Sequence, residues 1–144
     1  MTSNDQQLTE AWEEFLGWFE WHHAITLTTR WAYSRYALSK EMQHGFARRL
    51  AKMTQGKVGW FYSMEDRVGG YPHLHALLGG TSHLTTTQVQ RAWKSGMSRV
   101  RVLRAESLTD SSAAVRYAVK HIGRIPAHHD IALKGLRRRI ESRV

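Results

Sequence analysis

Cysteine is absent from the chain, which excludes disulfides and thiolate metal sites and leaves any metal to histidine and carboxylate. No apolar run approaches the length of a membrane span, and no basic-then-apolar secretory signal opens the chain. The expectation is a cytoplasmic protein with no membrane partner. A Gly-x-x-x-x-Gly-Lys-Ser/Thr run is missing, so these residues hold no P-loop. There is no internal repeat and no low-complexity linker. The first 20 residues lack Lys and Arg but hold five acids, Asp5, Glu10, Glu13, Glu14 and Glu20. The other 124 residues carry 21 basic and 7 acidic groups, a net +14 within an overall +9. A basic body of this kind fits a polyanionic partner, usually nucleic acid. At 144 residues and 42% hydrophobic, the chain suits a single domain, 1–144.

Taken in order, residues 1–7 are polar and expected to fray. Leu8 to about Glu20 predicts a helix, with Leu8, Trp12, Phe15, Leu16 and Phe19 at helical spacing. Ala24 to Arg30 alternates and is rich in β-branched residues, the pattern of a strand. Ser39 to Met53 predicts a helix capped by Ser39, with Gly56 its stop. Lys57 to Asp66 and Tyr71 to Gly79 predict two strands joined as a hairpin. Thr86 or Thr87 to about Ser95 predicts a helix, and Arg99 to Arg104 another strand, with Arg99 and Arg101 opposite Val100 and Val102. Ser111 to Ile122 is a last helix. A basic tail, 125–144, follows, with room for a short helix through Leu133, Leu136 and Ile140. The order βαββαβ predicts an α+β, ferredoxin-like antiparallel sheet with helices on one face and the other face free for a ligand. An extra N-terminal helix (1–21) and a C-terminal helix flank the core, 22–124.

Tyr71-Pro-His-Leu-His-Ala-Leu-Leu-Gly79 holds the main chemical signal. In a strand His73 and His75 share one face, opposite Pro72, Leu74, Ala76 and Leu78. Glu65 lies across the hairpin and, by the same alternation, projects from that face. Two imidazoles and a carboxylate suit Mg²⁺ or Mn²⁺ and accept Zn²⁺, with positions left for water or a phosphate oxygen. Asp66 is the nearest rival, but its parity puts it on the core side unless the strand bulges. The same His pair also fits two ordinary polar positions on a half-buried strand. On the last helix, Val115, Ala118, Val119 and Ile122 form the apolar stripe and Tyr117 falls roughly opposite it. Lys120, His121 and Arg124 lie on Tyr117's side. That phenol either meets a ligand or simply faces solvent on a basic helix. His22-His23 and His128-His129 are weaker metal candidates, because adjacent strand residues point to opposite faces.

Together these motifs resemble the catalytic domain of a rolling-circle replication initiator of the HUH endonuclease superfamily, one-tyrosine type. Ala-Ile-Thr-Leu-Thr-Thr resembles the first motif's strand, and Pro-His-Leu-His-Ala-Leu-Leu the His-hydrophobic-His motif. Val-Arg-Tyr-Ala-Val-Lys-His resembles the helical Tyr-x-x-Lys motif. The resemblance spans about residues 22–124.

It implies a metal-dependent endonuclease and strand transferase that nicks single-stranded DNA at a replication origin. Glu65, His73 and His75 are the implied ligands of a divalent metal ion, and Tyr117 the implied nucleophile, leaving a 5′-phosphotyrosine link and a free 3′-OH. Lys120 would favour the phenolate and hold the phosphate or a metal-bound water; His121, which is not part of the family motif, is a candidate proton acceptor from its place on the same side of the helix. Thr28, Arg30, Arg99 and Arg101 are expected to contact DNA, and Trp31, Tyr33 and Tyr36 to stack unpaired bases. A host or fused helicase is a further implied partner, and the implied setting is a plasmid- or virus-encoded protein in a bacterial or archaeal host. The alternatives are a related relaxase or single-strand DNA transposase, and a non-catalytic RRM-like nucleic-acid-binding module. A relaxase usually carries its Tyr near the N-terminus, and transposase relatives often have Gln where Lys120 stands. An RRM-like module predicts aromatics where His73 and His75 stand.

Overall fold

The computed structural model describes residues 3–29, 34–66, 72–97, 100–120 and 128–139, with the backbone alone at 3, 29, 65, 66, 72, 100–102 and 128. Its centre is a five-stranded sheet in the order β4-β1-β3-β2-β5. The strands are β1 (His23–Thr29), β2 (Gly59–Asp66), β3 (Pro72–Gly79), β4 (Val100–Ser107) and β5 (His128–Ala132). Every neighbouring pair is antiparallel. The first four strands have the ferredoxin-like arrangement of an α+β, βαββαβ chain, and β5 extends it along β2.

Alternation in the strands sends apolar side chains to both faces. On the first face Ile25, Leu27, Trp60, Tyr62, Met64, Leu74, Ala76 and Leu78 meet Leu38, Met42, Phe46 and Leu50 from one long helical segment. Val89 and Trp93 of α4 (Thr86–Lys94) complete this core. Thr85 starts α4 with a reciprocal capping box to Gln88, which satisfies two backbone donors at once. The long segment comprises α2 (Arg35–Lys40), a π-helical turn (Glu41–Phe46) and α3 (Ala47–Met53). Its cap is Ser34, whose hydroxyl accepts from the Ala37 N–H. Ser39, the residue predicted to cap it, instead accepts a hydrogen bond from the Tyr62 hydroxyl at 3.0 Å.

The second face is not open along its length, contrary to the pattern-based expectation. Phe61 and Leu77 are buried there beneath α1 (Ser3–Leu16) and α5 (Ser112–Val119), through Leu16, Val115, Ala118 and Val119. Trp12 adds its ring to Phe61 at a centroid distance of 5.4 Å.

Two segments depart from the sequence expectation for tertiary reasons. The aromatic spacing predicts a helix to Glu20, but α1 runs from Ser3 and stops at Leu16, where the Trp21 indole N–H bonds the Leu16 carbonyl at 2.8 Å. Beyond it the backbone pairs with the tail: Glu20 N–H donates to Arg137 O and Arg139 N–H to Trp18 O, each at 2.7 Å. Such distant backbone partners outweigh a continued helical stripe. The tail, in turn, forms β5 and a turn rather than a helix through Leu133 and Leu136; Ile140 lies outside the described residues. Gly59 and Gly79 are register partners, and a Cβ on either would sit within 2.5 Å of Leu136 side-chain carbons. The paired glycines leave the hollow that Leu136 fills, and Gly135, at φ 87°, makes the turn that delivers it.

At the base of β1, His23 is buried with Nδ1 2.6 Å from the Thr81 hydroxyl. Burial pushes its imidazole below the ordinary value of 6.5; a Leu84 backbone hydrogen bond opposes the fall and His22 adds to it. Burial likewise lowers His22, against the pull of Glu20. A depressed folded value means that the unfolded chain takes up the proton first. This contribution to stability is therefore complete above about pH 6.5 and is lost as pH falls towards the folded values. The melting midpoint should drop between neutral and mildly acid pH, and His23→Gln should flatten that slope; equal slopes in both proteins would refute it.

Candidate functional site

Antiparallel register builds the site. Thr28 of β1 and Glu65 of β2 both lie directly opposite His73 of β3, and Thr26 and Ser63 both lie opposite His75. Directly paired residues share a face, so Thr26, Thr28, Ser63, Glu65, His73 and His75 occupy adjoining positions on the second face. His73 and His75 are 3% and 4% exposed, with ring centroids 4.5 Å apart. The Thr28 hydroxyl is 2.8 Å from His73 Nδ1.

Helix α5 brings the phenol. Its apolar residues Val115, Ala118 and Val119 face the sheet, and Ser63 donates its hydroxyl proton to the Ala118 carbonyl at 2.5 Å. That bond ties the helix to β2 one residue past Tyr117. Tyr117 is 52% exposed and stands edge-on to His75, ring centroids 4.6 Å apart at 85°. Asp110 precedes α5, and its carboxylate accepts from the Ser112 backbone N–H, which holds it below the usual carboxylate range.

An open cleft of about 620 Å³ lies between α5 and the strands β1 and β4, walled by Thr26, His75, Arg104, Glu106, Asp110 and Tyr117. It is a part of the second face that α1 and α5 leave uncovered.

The other sequence-derived candidates fall in different places. Lys120 is exposed and ends α5, one turn beyond Tyr117. Thr28 is 7% exposed and engaged with His73. Glu65 has its backbone position on the His face, and nothing is described of its side chain or of those of Asp66 and Arg101. Arg30, Trp31, Tyr33, Arg99, His121 and Arg124 lie outside the described residues. Tyr36 is 75% exposed on α2. Among the described residues no three His, Asp or Glu side chains gather to hold a metal. His22 and His23 diverge: His22 Nδ1 accepts from Gly80 N–H at 3.0 Å and His23 meets Thr81; of the other pair, the His129 ring lies 5.2 Å from Trp12 and nothing is described of the His128 side chain.

Arg104 and Ser63 are the residues that sequence reading passes over. Alternation up to Arg104 puts Val100 and Val102 on the core side. The strand instead continues to Ser107, with Leu103 and Ala105 packed against the core. A register shift between Thr28 and Thr29 reverses the phase at its start: Thr28 pairs with Val102 and Thr29 with Val100. Arg104, opposite Thr26, therefore lines the cleft. The continued alternation through Ala105 is the signal that finds it.

No protein-family model and no curated protein matches the chain. Among solved structures it is similar to the N-terminal nuclease domain of non-structural protein 1 from minute virus of mice. The two are 11% identical with a TM-score of 0.33, over 94% of this chain and 80% of that one. That domain coordinates Zn²⁺ in its active-site pocket and recognises DNA at the origin of replication.

Proposed function

We propose that this protein is a nuclease that cuts and rejoins single-stranded DNA through a covalent link to Tyr117, in the manner of a rolling-circle replication initiator. The observation that carries the reading is the convergence of His73, His75 and Tyr117, three rings in successive edge contact, of which His75 and Tyr117 line a polar cleft. A phenol placed for core packing would lie on the apolar stripe of α5; this one is half exposed and stands against an imidazole.

The donor set fits a divalent cation. His73 and His75 sit together on the face that also carries the Glu65 position. Where Nδ1 of His73 donates to the Thr28 hydroxyl, the ring's lone pair resides on Nε2, the arrangement typical of a metal-ligating histidine held by a neighbouring acceptor. When bound by Glu65, His73 and His75, Mg²⁺ or Mn²⁺ would supply positive charge to the scissile phosphate.

The chain's own residues do the rest. Tyr117 Oη gives up its proton and forms a bond to phosphorus. The P–O3′ bond breaks, and the departing 3′ oxygen takes up a proton. The 5′-phosphotyrosine conserves the ester bond, so reversal rejoins the strand. In this reading Lys120, one turn on, favours phenolate and phosphate alike, and Arg104, in the cleft wall, holds a neighbouring phosphate. A binding module that only stacks bases fits less well: among the described sheet aromatics, Trp60 and Tyr62 are buried in the first-face core and Phe61 is buried under α1.

The test is to incubate the protein with Mn²⁺ and a panel of origin-like single-stranded oligonucleotides and to look for a covalent adduct on a denaturing gel. An adduct that vanishes with chelator supports the reading; cleavage with no adduct on any substrate overturns it.

Thr28 has a role beyond contacting DNA in this reading: it positions His73. Thr28→Val keeps the shape and removes the acceptor, so metal affinity should fall about 10- to 100-fold. Calorimetric titration with Mn²⁺ measures this directly, and Thr28→Ser should restore most of it. Unchanged affinity in the Val variant would assign the bond to packing alone.

A further inference from the structure

The face opposite Tyr117 carries a second feature. Lys40, His44, Arg48 and Lys52 recur every four residues along α2, the π-helical turn and α3, and all four are exposed. In an unbroken α-helix a four-residue repeat drifts by about 40° per step, so three steps would twist the row by about 120°. The π-helical turn accommodates one extra residue and takes back about 100° of that drift. The insertion thus keeps Leu38, Met42, Phe46 and Leu50 on the core. It equally keeps the cationic row straight on the other side, with side chains about 6 Å apart over about 18 Å.

Of the described acids, Asp130 of β5 reaches this segment through Gln43, whose Nε2 donates to its carboxylate at 3.2 Å, and Glu41 lies beside the row but is neutralised. The Glu41 carboxylate is 11% exposed and pairs with the Arg49 guanidinium, whose Nε–H also bonds the Ala92 carbonyl of α4. Gly45 and Gly96 make room for this pair; a Cβ on either would collide with it. No described acid pairs with Lys40, Arg48 or Lys52. Helix α4 adds Arg91 and Lys94, both exposed, on the same side of the sheet. The acids Asp5, Glu10, Glu13 and Glu14 are on α1, across the sheet.

We propose that this straight row binds the phosphate backbone of duplex nucleic acid, at a site separate from the cleft beside Tyr117. A duplex presents about one charge per 1.7 Å along a stiff axis, which a rigid row of cations matches. Single strands are held by a basic groove combined with successive stacking platforms, and among the described residues this row has one exposed aromatic, Tyr36, at its start. The protein can then grip a duplex on one side while the opposite face handles a single strand.

Fluorescence anisotropy with a labelled blunt duplex, in chelator, tests this whether or not Tyr117 cleaves DNA. Lys40→Gln/Arg48→Gln/Lys52→Gln should weaken duplex binding about 10- to 100-fold at low salt and lower the slope of log K against log salt by about 2 to 3. Lys40→Arg/Lys52→Arg should retain both affinity and slope. If the triple variant does not fold, Arg48→Gln alone should lower the slope by about 1. Unchanged duplex affinity and slope would overturn the proposal. So would an equal loss on a single-stranded oligonucleotide. A triple variant that only abolishes self-association in sedimentation would assign the row to the acidic α1 of a second copy and overturn it as well.

Discussion

Tyr117→Phe should form no covalent adduct with any oligonucleotide, a loss of at least about 10³-fold in strand cleavage. The substitution removes one oxygen and keeps the ring. The edge-on contact with His75 at 4.6 Å survives, as does the docking of α5 through Val115, Ala118, Val119 and the Ser63 bond to Ala118. Fold, metal binding and DNA affinity should therefore stay near those of the unaltered protein. Half of the Tyr117 surface is exposed, so little buried structure depends on its hydroxyl. Denaturing gels read the adduct and anisotropy reads DNA binding, and the two should separate. An undiminished adduct would transfer the chemistry to another residue and end the assignment of this phenol as nucleophile.

His73→Ala with His75→Ala should abolish metal-dependent cleavage and weaken Mn²⁺ binding by at least about 100-fold. Both imidazoles are more than nine-tenths buried, so the substitutions also open space beneath Tyr117 and are expected to lower stability by about 1–3 kcal/mol. Melting curves must accompany the assay. His73→Asn with His75→Gln fills more of the volume and should lose metal binding with a smaller change in melting midpoint. Activity that persists in these variants, or that is indifferent to chelator in the original protein, would count against the histidine pair as ligands.

Local periodicity made much of the scaffold legible. Ala24 to Arg30 and Pro72 to Gly79 alternate cleanly, and the βαββαβ order leads to the observed β4-β1-β3-β2 arrangement. The same two-residue period places His73 and His75 together, and the 100° turn of a helix sets Tyr117 off its apolar stripe; their rings are neighbours in the structure. These are properties of residues next to one another, and a strand or helix expresses them wherever it lies.

Partners far apart in the chain were decided only by the tertiary structure. Thr28 meets His73 across 45 residues and Ser63 meets Ala118 across 55, and no pattern in either segment announces the bond. The phase of β4 depends on a register shift against β1, which brings Arg104 to the cleft. The early end of α1 and the strand β5 arise because backbone donors and acceptors at Trp18, Glu20 and the β2 edge find partners in the tail. Side-chain direction follows from the covalent geometry of a short segment, whereas hydrogen-bond pairing and register follow from which surfaces the folded chain brings into contact. The sequence by itself therefore set the faces of the strands and helices; packing alone determined what lies across from each of them.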